Sequence, residues 1–512
     1  MRREAIRAGA ARYGIGAALV LGGAGLALWS GLAERRAGAR VLDANRAVNP
    51  GARDAGDISA HNSPTLVRNP RDRDNLVVTS RIDSPDFSCA VYVSTDGGRR
   101  WARTSVPVPE GEGRTCYAPD AVFSADGTLH VSYVTLEGVA NTPRAAWVTG
   151  SRDGGRTLAA PRKVTGPLAF QVRIAADPAR PARLYVTWVQ ALDVGNLKFT
   201  APGNPIRVAR SDDSGASWDR PIQVNDAGRA RALAPSPAIG PNGELYVLYL
   251  DVGGDRLDYE GAHEGSGGPA YGGRFALVLA RSRDGGVRWE ESLVDDRVVP
   301  IGRFIPFLPP FPSLAVDRGS GRIYAAFHDA RLGTPDVWVW ALEPGESAWR
   351  RPVRVNDTPQ QDRTSQYLPQ VEVAPSGRLD VVYYDRRDDP DRNQLNGVSL
   401  QSSADAGRTF SARVALAGHR FDSRIGFGSE RGLPDLGSRL GLVSGNREAI
   451  AAWSDTRSGT EASNKQDIYR AFASPARPGL AAGTADDVGR GGLALMLGGF
   501  AALMLMGRRS DP

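Results

Sequence analysis

Three segments of the chain place an aromatic residue, an aspartate and an arginine at one fixed spacing. They are Phe327-His-Asp329-Ala-Arg331, Tyr383-Tyr-Asp385-Arg-Arg387 and Trp453-Ser-Asp455-Thr-Arg457. A guanidinium group binds a carboxylate as a two-pronged fork, so arginines that converge from neighbouring units would form a site for an anionic group. The alternative is that each aspartate pairs with its own arginine and stiffens its loop, as motifs repeated in every unit often do. Either interpretation requires the three segments to occupy equivalent positions in a repeated fold.

Tyr367 and His61 are the other candidate ligand-binding residues. A tyrosine hydroxyl is a possible nucleophile, with Glu372 as its partner, but Tyr367, Tyr383 and Tyr384 also fit the pattern of core aromatic residues on strands. The five histidines are scattered along the chain and show no zinc-binding spacing. The sequence therefore predicts no metal and no cofactor, and it leaves the catalytic residues unknown.

Five further segments share the pattern Ser-x-Asp-x-Gly-x-x followed by an aromatic residue or leucine. They span Ser94–Trp101, Ser151–Leu158, Ser211–Trp218, Ser282–Trp289 and Ser403–Phe410, with Asp96, Asp153, Asp213, Asp284 and Asp405 at the third position. An aspartate there accepts hydrogen bonds from the backbone N–H groups of a tight turn, and glycine permits a positive φ. The pattern therefore predicts a hairpin turn in each segment, and turn chemistry alone accounts for the five aspartates.

These five copies resemble the Asp boxes of the sialidase superfamily and of BNR-repeat proteins, over roughly residues 41–475. The resemblance implies an all-β fold, a β-propeller of four-stranded blades. Repeat units begin near Asn62, Tyr117, Phe170, Ala234, Phe311, Leu368 and Leu433. These starts predict seven blades, with six blades, as in sialidases proper, as the alternative. The last unit supplies three strands, and we expect residues 41–49, which share the Val-Asn ending of other fourth strands, to complete it and close the ring.

The connectivity of a four-stranded antiparallel blade sorts its loops onto two faces. The loops between strands 2 and 3 and between strands 4 and 1 share one face, called here the first face, and the Asp-box turns lie on the other. The three Asp-Arg segments fall on the first face, together with long insertions at 253–274, 300–311 and 418–437. Long loops on one side of a rigid scaffold commonly form binding sites. Cys89 and Cys116 also fall on this face, so we expect a disulfide between them in an exported protein.

The resemblance to sialidases also implies a catalytic pattern of three arginines, a tyrosine nucleophile with a glutamate, and an aspartate acid/base. The first arginine belongs to an early Phe-Arg-Ile-Pro motif, whereas this chain reads His61-Asn-Ser-Pro64 early on and Arg303-Phe-Ile-Pro306 far downstream. No catalytic residue is therefore assigned from the resemblance. The sequence predicts a sialidase-like propeller that binds an extracellular or cell-surface glycan or a protein partner. The alternative is an exo-glycosidase of sialidase type that acts on terminal acidic sugars.

Both ends of the chain are hydrophobic. Residues 13–32 approach the ~20 apolar residues that cross a bilayer and follow four arginines, and residues 491–507 precede Arg508-Arg509. These flanks predict two transmembrane helices that anchor the propeller in the cell membrane on its extracytoplasmic side. The flanking segments are then a basic cytoplasmic tail (1–12), a linker (476–490) and a second cytoplasmic tail (508–512). A cleaved N-terminal signal peptide is the alternative to the first helix.

The net charge of +6 resides in the two ends of the chain. Residues 1–40 carry +5 and residues 488–512 carry +2, so residues 41–487 carry −1. Nucleic-acid binding requires a basic patch or stripe on the folded domain. This distribution therefore argues against a nucleic-acid partner.

Overall fold

The computed structural model describes residues 39–475 except 44, 55, 113–115, 139–140, 194–202, 257–267, 303–309, 361 and 426–435. The two tails, the two transmembrane segments and the linker predicted from the sequence lie outside these residues, as do large parts of the three long insertions. In the described part, no helix combines the length and the apolar character needed to cross a bilayer.

The described strands fall into seven groups, in chain order. The chain begins with β1 (Arg40–Val41) and β2 (Arg46–Ala47). Blade 1 contains β3 (His61–Arg68), β4 (Leu76–Ile82), β5 (Ser88–Ser94) and β6 (Ala102–Thr104), and blade 2 contains β7 (Cys116–Phe123), β8 (Leu129–Glu137), β9 (Thr142–Ser151) and β10 (Arg162–Thr165). Blade 3 contains β11 (Ala169–Ala176), β12 (Leu184–Gln190), β13 (Ile206–Ser211) and β14 (Ile222–Gln223), and blade 4 contains β15 (Ala232–Ile239), β16 (Leu245–Asp251), β17 (Phe275–Ser282) and β18 (Glu290–Val298). Blade 5 contains β19 (Ser313–Val316), β20 (Ile323–Asp329), β21 (Asp336–Leu342) and β22 (Val353–Arg354). Blade 6 contains β23 (Gln366–Val373), β24 (Leu379–Asp385), β25 (Leu395–Ser403), β26 (Val414–Ala415) and β27 (Phe421–Asp422), and blade 7 contains β28 (Gly441–Ser444), β29 (Ala449–Asp455) and β30 (Asp467–Ser474).

Each group forms one antiparallel sheet whose strands are ordered as they occur along the chain. The first strands of successive blades contact each other around the ring, and β28 of blade 7 meets β3 of blade 1. The first strand of each blade is therefore the inner one. This arrangement is a seven-bladed β-propeller, so the prediction of seven blades is confirmed and the alternative of six is wrong.

The second strand of each blade is buried on both faces, because neighbouring blades pack against both sides of it. In β16, which reads Leu-Tyr-Val-Leu-Tyr-Leu-Asp, the six apolar residues are all buried. Such a strand shows a continuous apolar run in its sequence instead of an alternating pattern. The apolar core consequently runs from blade to blade, and one cluster joins Ile206 of blade 3, Leu248 of blade 4 and Phe327 of blade 5.

Blade 7 is completed by strands from the beginning of the propeller. Both β1 and β2 pair with β30. The backbone N–H of Leu42 donates to the carbonyl of Phe472 at 2.8 Å, and that of Val48 donates to the carbonyl of Ile468 at 2.7 Å. Residues 41–49 thus close the ring as the sequence predicts, and they cover the sheet edge that β30 would otherwise expose.

A repeated asparagine fastens the outer segment of three blades to the start of strand 3. The Oδ1 atoms of Asn49, Asn225 and Asn356 accept hydrogen bonds of 2.9, 2.7 and 3.0 Å from the backbone N–H groups of Ile468, Ile206 and Val337. In blade 7, Asn49 Nδ2 also donates to the buried Asp467 carboxylate at 2.7 Å. The asparagine of the Val-Asn ending therefore joins the fourth strand to the third by hydrogen bonds.

The five Ser-x-Asp segments form the turns between the third and fourth strands of blades 1, 2, 3, 4 and 6. In each turn, the serine Oγ donates to the aspartate Oδ1 at 2.6–2.9 Å and accepts from the glycine N–H four residues later at 2.8 Å. Hydrogen bonds from Ser217 and Ser211 lower the pKa of Asp213 to about 2. Each of these carboxylates is thus engaged by its own turn.

A disulfide joins the first two blades. Cys89 on β5 and Cys116 on β7 are bonded, with a sequence separation of 27 residues. The predicted pairing is therefore confirmed. By the chain-entropy model, a crosslink over a loop of this length contributes about 3–4 kcal/mol to stability.

Candidate functional site

The inner strands of five blades carry the same irregularity near the first face. The pairing with strand 2 shifts register around a residue of positive φ, namely Ser63 (51°), Ala118 (49°), Gln171 (53°), Ala234 (57°) and Leu368 (55°). Such a β-bulge inserts one residue and redirects the side chains beside it, and bulges are over-represented next to functional sites. The side chains that follow the bulges are therefore candidates for a functional site.

The first residue paired beyond each bulge is polar. These residues are Thr65, Asp120, Arg173, Ser236 and Gln370, and Ser313 of blade 5 has the equivalent register position. Thr65 Oγ1 donates to Asp120 Oδ1 at 2.7 Å, and Arg173 Nε donates to Asp120 Oδ2 at 2.8 Å. Inner strands from six blades thus contribute to one ring of polar side chains.

Contacts between blades that are not neighbours place this ring at the propeller axis. Arg439, which leads into blade 7, donates from Nη2 to the carbonyl of Pro119 in blade 2 at 2.6 Å. Arg173 of blade 3 lies 5.2 Å from the ring of Phe311, which leads into blade 5. The backbone N–H of Phe311 in turn donates to the carbonyl of Ser438 at 3.3 Å. Blades separated in this way reach one another only across the central channel.

Three arginines and two aspartates meet at this place and are called here the axial cluster: Arg81, Arg173, Arg439, Asp83 and Asp120. Arg81 Nη2 donates to Asp83 Oδ2 at 2.6 Å, and Arg173 pairs with Asp120. The positive charges of Arg173 and Arg439 hold the pKa of Asp120 below its ordinary value, although burial alone would raise it. The three arginines outnumber the two aspartates, which leaves the axial cluster with one surplus positive charge.

The surplus charge belongs to Arg439, which is 5% exposed. Its Nε donates to Thr65 Oγ1 at 3.0 Å and its Nη2 to the Pro119 carbonyl, and no carboxylate of the described residues lies within ion-pair distance. Burial, reinforced by the positive charge of Arg173, lowers the pKa of the Arg439 guanidinium to about 9. Nη1 has no partner among the described residues but is not sealed from solvent. A buried cation without a counter-ion is costly, and its free N–H groups are available to an anionic ligand.

Replacing Arg439 by methionine is expected to raise the free energy of unfolding by about 1–3 kcal/mol, because an apolar side chain of similar length removes an uncompensated buried charge. Urea denaturation followed by tryptophan fluorescence measures the change, and Arg439→Lys, which keeps a charge, is the matched control. A loss of stability in the methionine variant would instead show that the hydrogen bonds to Thr65 and Pro119 outweigh the cost of the charge.

In each of the three Asp-Arg segments, the arginine binds the aspartate of its own segment. Arg387 Nε donates to Asp385 Oδ2 at 2.6 Å, and Arg457 Nη2 donates to Asp455 Oδ2 at 2.5 Å. Arg331 Nε donates to Asp329 Oδ2 at 2.7 Å. In all three segments the arginine backbone N–H also donates to Oδ1 of the same aspartate, at 2.7–3.0 Å. Each aspartate is thus paired with the arginine of its own segment, which is the alternative to convergence of the three arginines on one anionic group.

The second contacts of these arginines are with outer parts of the blades. Arg331 reaches Asp295 on β18 at 2.8 Å, Arg387 binds Asp357 beyond β22, and the Arg457 guanidinium stacks on Tyr469 of β30 at 3.9 Å. The Tyr384 hydroxyl of the second segment donates to the carbonyl of Ser454 in the third at 3.0 Å. Among the described residues, however, none of the three arginines makes a hydrogen bond or ion pair to another Asp-Arg segment. Binding of a ligand by these residues stays a prediction.

Tyr367 is buried within blade 6, where its hydroxyl donates to Asn396 Oδ1 at 2.6 Å. Burial raises its pKa, so the hydroxyl is not activated as a nucleophile. Glu372 lies five residues further along β23, opposite Asp380, whereas Tyr367 lies opposite Tyr384. The pairing of Tyr367 with Glu372 considered from the sequence is therefore wrong, because the two occupy opposite ends of one strand.

His61 lines a separate pocket of about 500 Å³ on the first face. The ring is 3% exposed, and Nδ1 lies 3.1 Å from Ser80 Oγ. Burial lowers the pKa of His61 to about 3, so the ring is neutral at physiological pH. Among the described side chains, no group of three or more His, Cys, Asp or Glu residues is placed to hold a metal ion.

Sequence reasoning missed the axial cluster, since Arg81, Arg173 and Arg439 share no motif. One signal was available for part of it. Aligning the inner strands two residues after the bulge places Thr65, Asp120 and Arg173 at one position, where a charged residue is unexpected in a core strand. Arg439 has no such signal, because it directly follows a segment interpreted as an insertion.

Comparison with known proteins finds solved structures of low similarity to this chain. No protein-family model and no curated protein matches the chain. A protein of unknown function from Dyadobacter fermentans is 14% identical, with a TM-score of 0.47 over 85% of this chain and 99% of that one. The Hadza microbial sialidase Hz136 is 15% identical, with a TM-score of 0.43 over 79% and 74%. A PL25 ulvan lyase is 10% identical, with a TM-score of 0.47 over 81% and 94%. At these identities the likeness does not indicate what this chain binds or catalyses.

Proposed function

We propose that this protein is an extracytoplasmic, membrane-anchored β-propeller that binds an acidic glycan at the axial cluster without cleaving it. The carrying observation is the buried Arg439, which has no carboxylate partner among the described residues. A sugar carboxylate is a planar, bidentate partner for a guanidinium and would supply the missing counter-ion. The expected ligand is a saccharide that carries a uronic or sialic acid residue.

The extracytoplasmic location is supported by two independent features. The Cys89–Cys116 disulfide suits an oxidising compartment. The hydrophobic segments 13–32 and 491–507, each flanked by arginines, suit export of the residues between them and anchoring at both ends.

Hydrolysis of the same class of sugar is the alternative function. It requires two carboxyl groups that flank the scissile bond, or a tyrosine nucleophile supported by a glutamate. Tyr249 and Glu291 form such a pair, with a hydrogen bond of 2.5 Å. However, Tyr249 is buried within blade 4, and burial together with that hydrogen bond raises its pKa. A nucleophile needs the opposite shift, so binding without cleavage is favoured.

The test is a titration of the full-length protein with sialyllactose, oligogalacturonate and neutral lactose, followed by calorimetry. We expect the acidic sugars to bind and lactose not to, and we expect Arg439→Met and Arg173→Met each to weaken binding by about tenfold or more through loss of a charge-assisted hydrogen bond. Arg283→Met is the matched control, because Arg283 is 59% exposed and belongs to a Ser-x-Asp turn on the opposite face.

Equal affinity for acidic and neutral sugars would overturn the proposal, as would unchanged affinity in Arg439→Met. Incubation of the same protein with fluorogenic sialosides and glucuronides addresses the alternative. Turnover that disappears in Arg439→Met would establish an exo-glycosidase acting at the axial cluster.

A further inference from the structure

A pocket of about 500 Å³ lies at the seam where the ring closes, and it is called here the seam pocket. One wall is the segment between β2 and β3, including Gly51 and Asp57, and the other is blade 1, including His61, Tyr92 and Arg103. Pockets of about 300–1,000 Å³ hold small-molecule ligands, so this one accommodates one or two sugar rings.

The wall formed by the N-terminal segment is hydrogen-bonded to the body of the propeller. A short 3₁₀ helix, Pro50–Arg53, follows the closing strands. Lys465, which is 2% exposed, fastens it by donating from Nζ to the carbonyls of Gly51 at 2.7 Å and Asp54 at 2.6 Å. A wall ordered before the ligand arrives reduces the entropy lost on binding.

Two side chains present unused hydrogen-bonding atoms to the seam pocket. His61 uses Nδ1 to contact Ser80, while Nε2 has no partner among the described residues and is not sealed from solvent. Asp57 Oδ1 accepts from the backbone N–H of Ser59 at 2.9 Å and from its hydroxyl, whereas Oδ2 has no hydrogen bond among the described residues. A polar side chain as buried as His61 normally has its ring nitrogens satisfied. This nitrogen is therefore available to a ligand that enters the seam pocket.

The charges around the seam pocket select the chemical class of the ligand. Asp57 and Asp86 contribute two negative charges and Arg103 one positive charge, and His61 is neutral. Burial would raise the pKa of Asp57, but hydrogen bonds from Ser59 and the nearby charge of Lys465 hold it below its ordinary value. Behind the lining, Lys465 and Asp467 carry opposite charges. The seam pocket is thus net negative, unlike the axial cluster.

We infer that the seam pocket binds an amino sugar, with the ammonium group at Asp57 Oδ2 and ring hydroxyls at His61 Nε2 and Ser59. An ammonium group donates charge-assisted hydrogen bonds to a carboxylate, and an uncharged sugar lacks them. An acidic sugar is repelled by the same carboxylate. This binding site is independent of the axial cluster.

The test is a calorimetric titration of the full-length protein with glucosamine, N-acetylglucosamine and glucuronate. We expect saturable binding of glucosamine, at least about tenfold weaker binding of N-acetylglucosamine, which lacks the ammonium group, and the weakest response with glucuronate. Arg439→Met should leave glucosamine binding unchanged, which separates this site from the axial cluster.

Two variants probe the carboxylate in different ways. Asp57→Asn removes its charge, whereas Gly51→Ala keeps the charge but displaces the group, because a Cβ at residue 51 would lie 1.9 Å from Asp57 Oδ2. We expect both to weaken glucosamine binding by about tenfold, and we expect the half-buried Asp57 variant to keep an unchanged thermal midpoint. Absence of saturable glucosamine binding to the wild type, equal binding of glucuronate, or wild-type affinity in both variants would overturn the inference.

Discussion

Deletion of residues 40–49 is expected to abolish cooperative folding of the propeller. The deletion removes β1 and β2 and exposes the edge of β30. It also removes Asp43, whose carboxylate accepts a hydrogen bond of 2.8 Å from Arg470, a side chain with no exposed area. Breaking a buried ion pair costs about 3–5 kcal/mol, and a buried polar group left without a partner costs about 1–3 kcal/mol. The deletion also removes the hydrogen bond from Asn49 to Asp467. The summed loss of stability approaches the free energy of unfolding of a whole domain, about 5–15 kcal/mol.

Urea denaturation of the full chain with and without residues 40–49 measures this effect. Asp43→Ala, which removes the carboxylate that binds Arg470 and Arg46 but keeps both closing strands, should fall between the two. Leu42→Ala is the matched control, because Leu42 is 49% exposed and its replacement should change stability by less than about 0.5 kcal/mol. A cooperative transition at the wild-type midpoint after the deletion would mean that blade 7 is stable with three strands.

Replacement of Arg387 by alanine is expected to destabilise the protein by about 3–5 kcal/mol, because it removes the nearer cation of a buried carboxylate and leaves only Arg413 Nη1, at 3.7 Å. The Asp385 side chain has no exposed area and accepts hydrogen bonds from Arg387 Nε at 2.6 Å and from Ser399 Oγ at 2.6 Å. Denaturation by urea measures the loss. The double variant Asp385→Asn/Arg387→Met should recover part of it, because it removes both charges.

A second pair of the same spacing provides the matched control for Arg387. Arg424 binds Asp422 at 2.6 Å across one intervening residue, but its side chain is 50% exposed. Arg424→Ala should therefore cost no more than about 1 kcal/mol, as exposed ion pairs do. Equal losses in the two alanine variants would show that the burial of Asp385 does not set the energy of its pair. If Arg387→Ala is as unstable as expected, it is a poor probe of ligand binding, and Arg439 is the better one.

Much of the fold was predictable because every blade repeats the same arrangement of strands and turns. Regular spacing of the strands and turns indicated seven units, and the Val-Asn ending before residue 50 indicated the closing strand. Loop sorting placed Cys89 and Cys116 together because the order of strands in a blade fixes the end at which each loop lies. Each of these inferences uses the sequence of one repeat unit at a time. Sequence periodicity identifies such units well.

The candidate sites were less predictable because they join side chains from units that are distant in sequence. Arg173 and Arg439 meet only because the ring brings blades 3 and 7 around one axis. The Asp-Arg segments show the same limit in another form. Their spacing allowed both self-pairing and convergence, and the burial of Asp329, Asp385 and Asp455 in their own blades favours the former. Spacing within one segment does not report the direction of a side chain at a blade end.

The pairing of β1 with β30 has a consequence for how this propeller combines with other sequences. Because Leu42 lies beside Phe472, the chain enters and leaves the ring at neighbouring points of one blade. Domains whose termini lie close together tolerate transplantation into the loops of other proteins and circular permutation. The ring from residue 40 to residue 474 therefore has closely spaced ends. It has the geometry for insertion into a loop of a host protein without distortion of either chain.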